Sequence, residues 1–92
     1  MLFFVHGIDK PDSLALRQAN RAAHLDYHKP HLQQIMLAGP TLTEDGQGMT
    51  GSVFIVDCAD RAAVETLFAG DPYVTAGLFE ALLIRPFRKV LP

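Results

Sequence analysis

The chain has 92 residues, 49% of them hydrophobic and 20% charged, with a formal net charge of −2. A chain of this length fits one domain, residues 1–92, with a modest core of its own and more apolar surface than that core needs. Its Lys and Arg residues are scattered, so the basic stripe of a nucleic-acid binder is missing, and no apolar run approaches the ~20 residues that cross a bilayer.

Residues 2–8 are rich in apolar and aromatic side chains and run into the breaker cluster Asp9-Lys10-Pro11-Asp12, which predicts a first strand ending in a turn. No basic region precedes Leu2-Phe3-Phe4-Val5, so a signal peptide is not expected. Asp12 or Ser13 offers a cap to a helix whose apolar Leu16, Ala19, Ala23 and Tyr27 recur every three to four residues. Pro30 interrupts that pattern, while Leu32, Ile35 and Met36 resume it, so the helix is expected to kink or restart near Pro30 and to end at Gly39-Pro40. Residues 40–43 read as a short extended piece, 44–48 as a turn and 52–56 as the clearest strand, together a hairpin. Cys58, the single cysteine, falls in this buried run as a small hydrophobe; it cannot close an internal disulfide and fits the reducing cytoplasm.

Asp60 caps a second helix through Ala63, Val64, Leu67 and Phe68, which Gly70-Asp71-Pro72 stops. After a short turn at 73–77, Leu82-Leu83-Ile84 predicts the last strand. The order β-α-β-β-α-β is the ferredoxin-like α+β pattern, a four-stranded antiparallel sheet with both helices on one face. Apolar residues at both parities in the first and third strands predict that the other face packs on a second copy, giving a twofold homodimer.

The segment Arg21-Ala22-Ala23-His24-Leu25, followed by Ala38-Gly39-Pro40, Gly51-Ser52 and Asp71-Pro72-Tyr73-Val74-Thr75-Ala76-Gly77-Leu78, resembles the YciI-like (YCII-related) family. The opening Met1-Leu2-Phe3, the Asp9-Lys10-Pro11-Asp12-Ser13 turn and the closing Arg85-Pro86-Phe87-Arg88-Lys89-Val90 join the resemblance, which thus covers nearly the whole chain; one departure is the short loop before Gly51. The resemblance implies a ferredoxin-like fold of the dimeric α+β barrel kind and an active site centred on a histidine and an aspartate, which fall on His24 and Asp71. Related dimeric α+β barrel families include muconolactone isomerases and enzymes of aromatic-ring degradation.

An imidazole titrating near ~6.5, with a carboxylate to fix its tautomer, suits proton transfer at neutral pH. The alternative open at this stage is a satisfied helix histidine beside an Asp-Pro turn starter. Arg21, three residues before His24 on a helix, offers a bidentate hold on a substrate carboxylate or a salt bridge to an acidic neighbour such as Asp71. Ser52 after Gly51, Tyr73 beside Asp71 and His6 on the first strand complete the substrate-binding candidates, each with a structural reading beside the functional one.

His24, His28 and His31 would gather imidazoles on an unbroken helix, but Pro30 spoils that geometry and no HExxH signature accompanies them, so no metal is expected and these read as solvated surface histidines. Gly46-Gln47-Gly48 lacks the strand-loop-helix setting and the lysine of a nucleotide cradle, so no cofactor is expected either. The expected function is a cofactor-independent cytoplasmic enzyme of isomerase, lyase or hydrolase type that moves a proton on a small carboxylated or cyclic metabolite. A non-catalytic ligand-binding or protein-assembly module is the alternative.

Overall fold

A computed structural model describes residues 1–92. Its elements are β1 (Leu2–Asp9), α1 (Leu14–His28), a 3-10 segment (Lys29–Gln34), β2 (Ile35–Leu42), β3 (Met49–Asp57), α2 (Arg61–Ala69), the single turn α3 (Pro72–Thr75) and β4 (Phe79–Phe87). The four strands form one antiparallel sheet in the order β2-β3-β1-β4. This is the ferredoxin-like arrangement, with the helices on one face.

Strand alternation decides where the core lies. On β1, Phe3 and Val5 are buried beneath the helices, and on β3 the residues facing the same way are Phe54 and Val56. Val64, Leu67 and Phe68 of α2 close over them. Asp60, in extended conformation, starts that helix by accepting the Ala63 amide N–H at 2.9 Å. Cys58 belongs to this cluster but sits one residue beyond β3, and burial pushes its thiol up from the ordinary range, away from thiolate chemistry.

Helix α1 reverses the sequence expectation. Leu16, Ala19 and Ala23, which the periodicity assigned to a buried stripe, are exposed, whereas Arg17, His24 and His28 are buried. The helix is held by polar contacts made inward, described below, and these outweigh the small apolar gain from burying alanines. The helix also ends at His28 instead of restarting after Pro30. Pro30 lies in the first turn of the 3-10 segment, where a missing N–H costs nothing, and Ile35 already pairs with Val56 of β3. The extended piece expected at 40–43 is therefore only the far end of a longer strand. β-branched Ile35 and the ladder to β3 prevail over three residues of helical spacing.

The β2–β3 hairpin turns at residues 43–48, where Asp45 accepts the Thr43 hydroxyl and the Gln47 amide and Gly46 takes a φ of 75°. The helix-free face of the sheet carries Leu2, Phe4, His6, Ile8, Val53 and Ile55, all half-buried, and beyond them exposed Leu37, Leu83 and Phe87. No helix is long and apolar enough to cross a membrane.

At the cleft end of the sheet, β1 and β3 approach closely, with Ile8 opposite Gly51 and Gly7 opposite Ser52. A Cβ at Gly51 would run into the carbonyl oxygen of Gly7 and the hydroxyl of Thr41. Gly51→Ala is expected to lower the unfolding free energy by about 1–3 kcal/mol, measured by urea denaturation. A loss within the scatter of the measurement would show that the two strands can part there freely.

Candidate active site

The site grows from the junction of α2 and α3. Gly70 closes α2, and Asp71 takes the extended conformation (φ −64°, ψ 126°) favoured by the residue before a proline. Pro72 then starts α3, and the Asp71 side chain folds back to accept the Tyr73 amide N–H at 2.9 Å. The carboxylate is fully buried.

Two imidazoles from α1 meet it there. His24 Nδ1 lies 2.8 Å from Oδ1 and 3.0 Å from Oδ2, and His28 Nε2 lies 2.7 Å from Oδ2. Burial pushes the Asp71 carboxyl up, but the hydrogen bonds from His24, His28 and the Tyr73 amide outweigh it and hold the group down at about 2. Asp71 is thus ionised at neutral pH and can only accept, so the two ring nitrogens facing it carry the protons. A neutral His24 consequently presents a bare Nε2, which has no protein partner and is not sealed from solvent.

His24 is held in place by its neighbours as well as by Asp71. Its ring stacks on Tyr73 at 3.8 Å between centroids and meets Phe54 edge-on at 5.9 Å. Arg17, about two turns earlier on the same face of α1, is 2% exposed. Its Nε and Nη2 donate to Asp9 at 2.7 and 3.0 Å, and Nη2 also reaches the Ser52 hydroxyl at 2.8 Å. Burial opposes the charge of this guanidinium, yet Asp9 holds it firmly cationic. It also lies 4.7 Å from the centre of the Tyr73 ring. Burial pushes the Tyr73 phenol up, with Arg17 and Arg21 pulling the other way.

These groups line a cleft of about 170 Å³ between α1 and the β2–β3 edge. Arg17, Arg21, His24, His28, Ser52 and Tyr73 supply its polar wall, and apolar residues such as Ile35 and Phe54 supply the rest. The volume is comparable to the ~150 Å³ apolar cavities that admit one benzene ring.

Of the residues singled out in the sequence, His24, Asp71, Tyr73 and Ser52 are brought together, and Arg21 stands exposed at the cleft wall without an ion pair to Asp71. His6 is not with them. It occupies the even parity of β1, opposite Val53 and Leu83 on the helix-free face, so it does not line the cleft. His28 is not a solvated surface histidine either, being 5% exposed, while His31 stands apart beside Tyr27. Arg17 and His28 were missed, although Arg17, Arg21, His24 and His28 follow one another at spacings of four, three and four, the signature of a single helix face.

His24, His28 and Asp71 also have the makeup of a metal ligand set, with ligand atoms within 4.8 Å of one another. For His28 Nε2 to bind a cation, its proton would have to move to Nδ1, and that buried atom has no acceptor. Metal-bound histidines ordinarily donate their second N–H to a partner. The donor chemistry therefore fits a hydrogen-bonded trio.

Residues 1–88 match the YCII-related domain. The chain is 35% identical to protein YciI of Escherichia coli, covering 98% of this chain and 99% of that protein, and 34% identical to an uncharacterized protein of Haemophilus influenzae with the same coverage. Among solved structures it is similar to 5-chloro-2-hydroxyhydroquinone dehydrochlorinase from Burkholderia phenoliruptrix in complex with 2,5-dihydroxybenzoquinone. That similarity has 37% identity and a TM-score of 0.89, covering 96% of this chain and 94% of that one. Protein Atu4242 of Agrobacterium tumefaciens, 16% identical with a TM-score of 0.58 over 98% and 94% of the two chains, shares the fold alone.

Because the folded carboxyl of Asp71 sits at about 2, below its ordinary ~3.9, its contribution to stability is complete above pH ~4 and is lost as pH falls toward 2. Urea denaturation at a series of pH values should show that fall in the wild type. Asp71→Asn should be less stable by about 2–3 kcal/mol at pH 7 and should fall less steeply below pH ~4. Equal slopes in the two proteins would remove Asp71 as the source.

Proposed function

The chain belongs to the YCII-related family, and on that premise we propose that it is a cofactor-independent enzyme, a single-domain cytoplasmic protein, that moves a proton on a small ring-shaped, oxygen-bearing molecule. The observation that carries this reading is the division of labour at His24: Nδ1–H is tied to a buried, ionised Asp71, and Nε2 is left free at a cleft of one-ring size. Asp71 fixes the tautomer and stabilises the imidazolium formed when Nε2 takes a proton. Arg17 and Arg21 put positive charge at the wall where a carboxylate or a newly ionised ring oxygen would lie. Ser52 and Tyr73 orient the ligand from the same wall, and Phe54 gives the ring an apolar surface.

The dehydrochlorinase, whose solved complex holds a dihydroxylated quinone, supports a lyase-type elimination. In such a step Nε2 of His24 takes a hydroxyl proton from the keto form of the ring. The O–H electron pair becomes a carbonyl bond, the ring double bond shifts, and the leaving group departs with its bonding pair. With chloride as that group the products are HCl and a quinone, and no oxidant is consumed.

Purified protein incubated with 5-chloro-2-hydroxyhydroquinone and related hydroxylated rings should release the leaving group and form quinone, followed by chloride analysis and absorbance. His24→Gln should lower kcat by at least about 10²-fold while retaining ligand-induced thermal stabilisation. Undiminished turnover would take His24 out of the mechanism, and saturable stabilisation without product would make the cleft that of a ligand-binding module.

The half-buried apolar face opposite the helices supports a homodimer formed by sheet-to-sheet packing. Phe4→Asp, in the middle of that face, should convert a dimer of the wild type into a monomer by light scattering after size exclusion. A monomeric wild type, or a dimeric variant, would sink this assembly.

A further inference from the structure

Asp71 serves two imidazoles, and the second has no part in the reaction proposed above. His28 is the last residue of α1, and its N···O contact to Oδ2 at 2.7 Å is the shortest in the trio. The same Oδ2 lies 3.0 Å from His24 Nδ1, so both rings draw on one oxygen. Tyr27, Phe54 and Phe68 wall the His28 ring at 5.1, 4.9 and 5.6 Å between centroids, and His24 stands at 4.9 Å. Its Nδ1 is buried and unpartnered. A proton on that atom would be a buried donor with no acceptor. The geometry therefore leaves Nε2–H of His28 as the donor aimed at the carboxylate.

We propose that His28 is a positioning residue that limits how strongly Asp71 stabilises the protonated form of His24, and so sets the pH at which His24 exchanges its proton. A carboxylate already receiving an N–H dipole presents a weaker negative potential to a second donor, and its lone pairs are partly committed. The other groups facing His24 are fixed in character. Asp71 and Tyr73 come from the α2–α3 junction and α3, Arg17 and Arg21 come from α1, and the sheet supplies Phe54 and Ser52, which do not titrate. A shared carboxylate leaves His24 readier to give up the proton it has taken, as turnover requires.

The inference rests on the acid–base reading of His24, but its test needs no substrate: the histidine ring signals of the full chain are followed by NMR across pH. His28→Leu, which keeps the bulk of the ring and removes the donor, should raise the His24 titration midpoint by about half to one pH unit. His28→Gln, whose amide N–H can still reach Oδ2, should stay within about 0.3 unit of the wild type. An unchanged or lowered midpoint in His28→Leu, or an equal rise in His28→Gln, would overturn the proposal. If the leucine variant does not fold, the wild type decides through its nitrogen shifts. His28 neutral and protonated at Nε2 at pH 7 is expected, and protonation at Nδ1 overturns the proposal. Failure to find turnover with any ring compound would count against the proposed reaction and leave the NMR outcome as it stands.

Discussion

Everything at the cleft depends on one buried carboxylate. An unpaired charge at the Asp71 position would be strongly unfavourable, and three N–H donors, two imidazoles of α1 and the Tyr73 amide of α3, offset that cost together. The consequence is mechanical as well as electrostatic. The Asp71 side chain ties the end of α1 to the α2–α3 junction, two elements that no strand ladder connects. The hydrogen bond that orients the His24 ring thus also docks α1 on the rest of the fold. Removing it would disturb site and scaffold at once.

The same trade runs along the whole inward face of α1. A helix covering a sheet ordinarily buries an apolar stripe, yet here the buried positions hold a guanidinium and two imidazoles. Arg17 is acceptable there because Asp9 supplies a bidentate partner and Ser52 a further acceptor. Gly51 lets β3 close up on the Gly7 carbonyl of β1 beside Ser52, so backbone at the strand ends helps set that contact. Local pattern and global fold disagree along this helix, the kind of conflict expected at functional or strained sites.

Where one physical signal dominated, the fold was legible in the sequence. Residues 52–56 combine β-branched and aromatic residues without a competing period, and Asp60 stands at the start of an unambiguous apolar stripe; both elements form as read. Residues 35–36 were ambiguous because a three-residue apolar spacing cannot separate a helix from the start of a strand, and pairing with β3 was a long-range fact. At the site, His24 and Asp71 were legible through the family's motifs and not through periodicity. Arg17 escaped because a charged residue between Leu16 and Gln18 reads as a solvent-facing interval, and its partner Asp9 lies at the end of β1 eight residues earlier. His28 escaped because Pro30 was weighed against a helix that in fact ends two residues before it. His6 illustrates the opposite error, since a period-2 reading of β1 already separates it from Phe3 and Val5, the residues under the helices.

The geometry also narrows the chemistry from the other side. Covalent catalysis needs a nucleophile with a base in reach. Cys58 is locked in the apolar core with its thiol pushed up, and the Ser52 hydroxyl is engaged by Arg17 and shares no hydrogen bond with His24. Tyr73, stacked beneath the imidazole and also pushed up, is poorly placed to ionise. What remains accessible is a single imidazole nitrogen beside two guanidinium groups in a space of one-ring size. One nitrogen accepts one proton at a time, and the nearby cations favour the anion that the lost proton leaves behind. In the reaction proposed above, a site so built would gain its rate from placing that proton exchange and the resulting charge together.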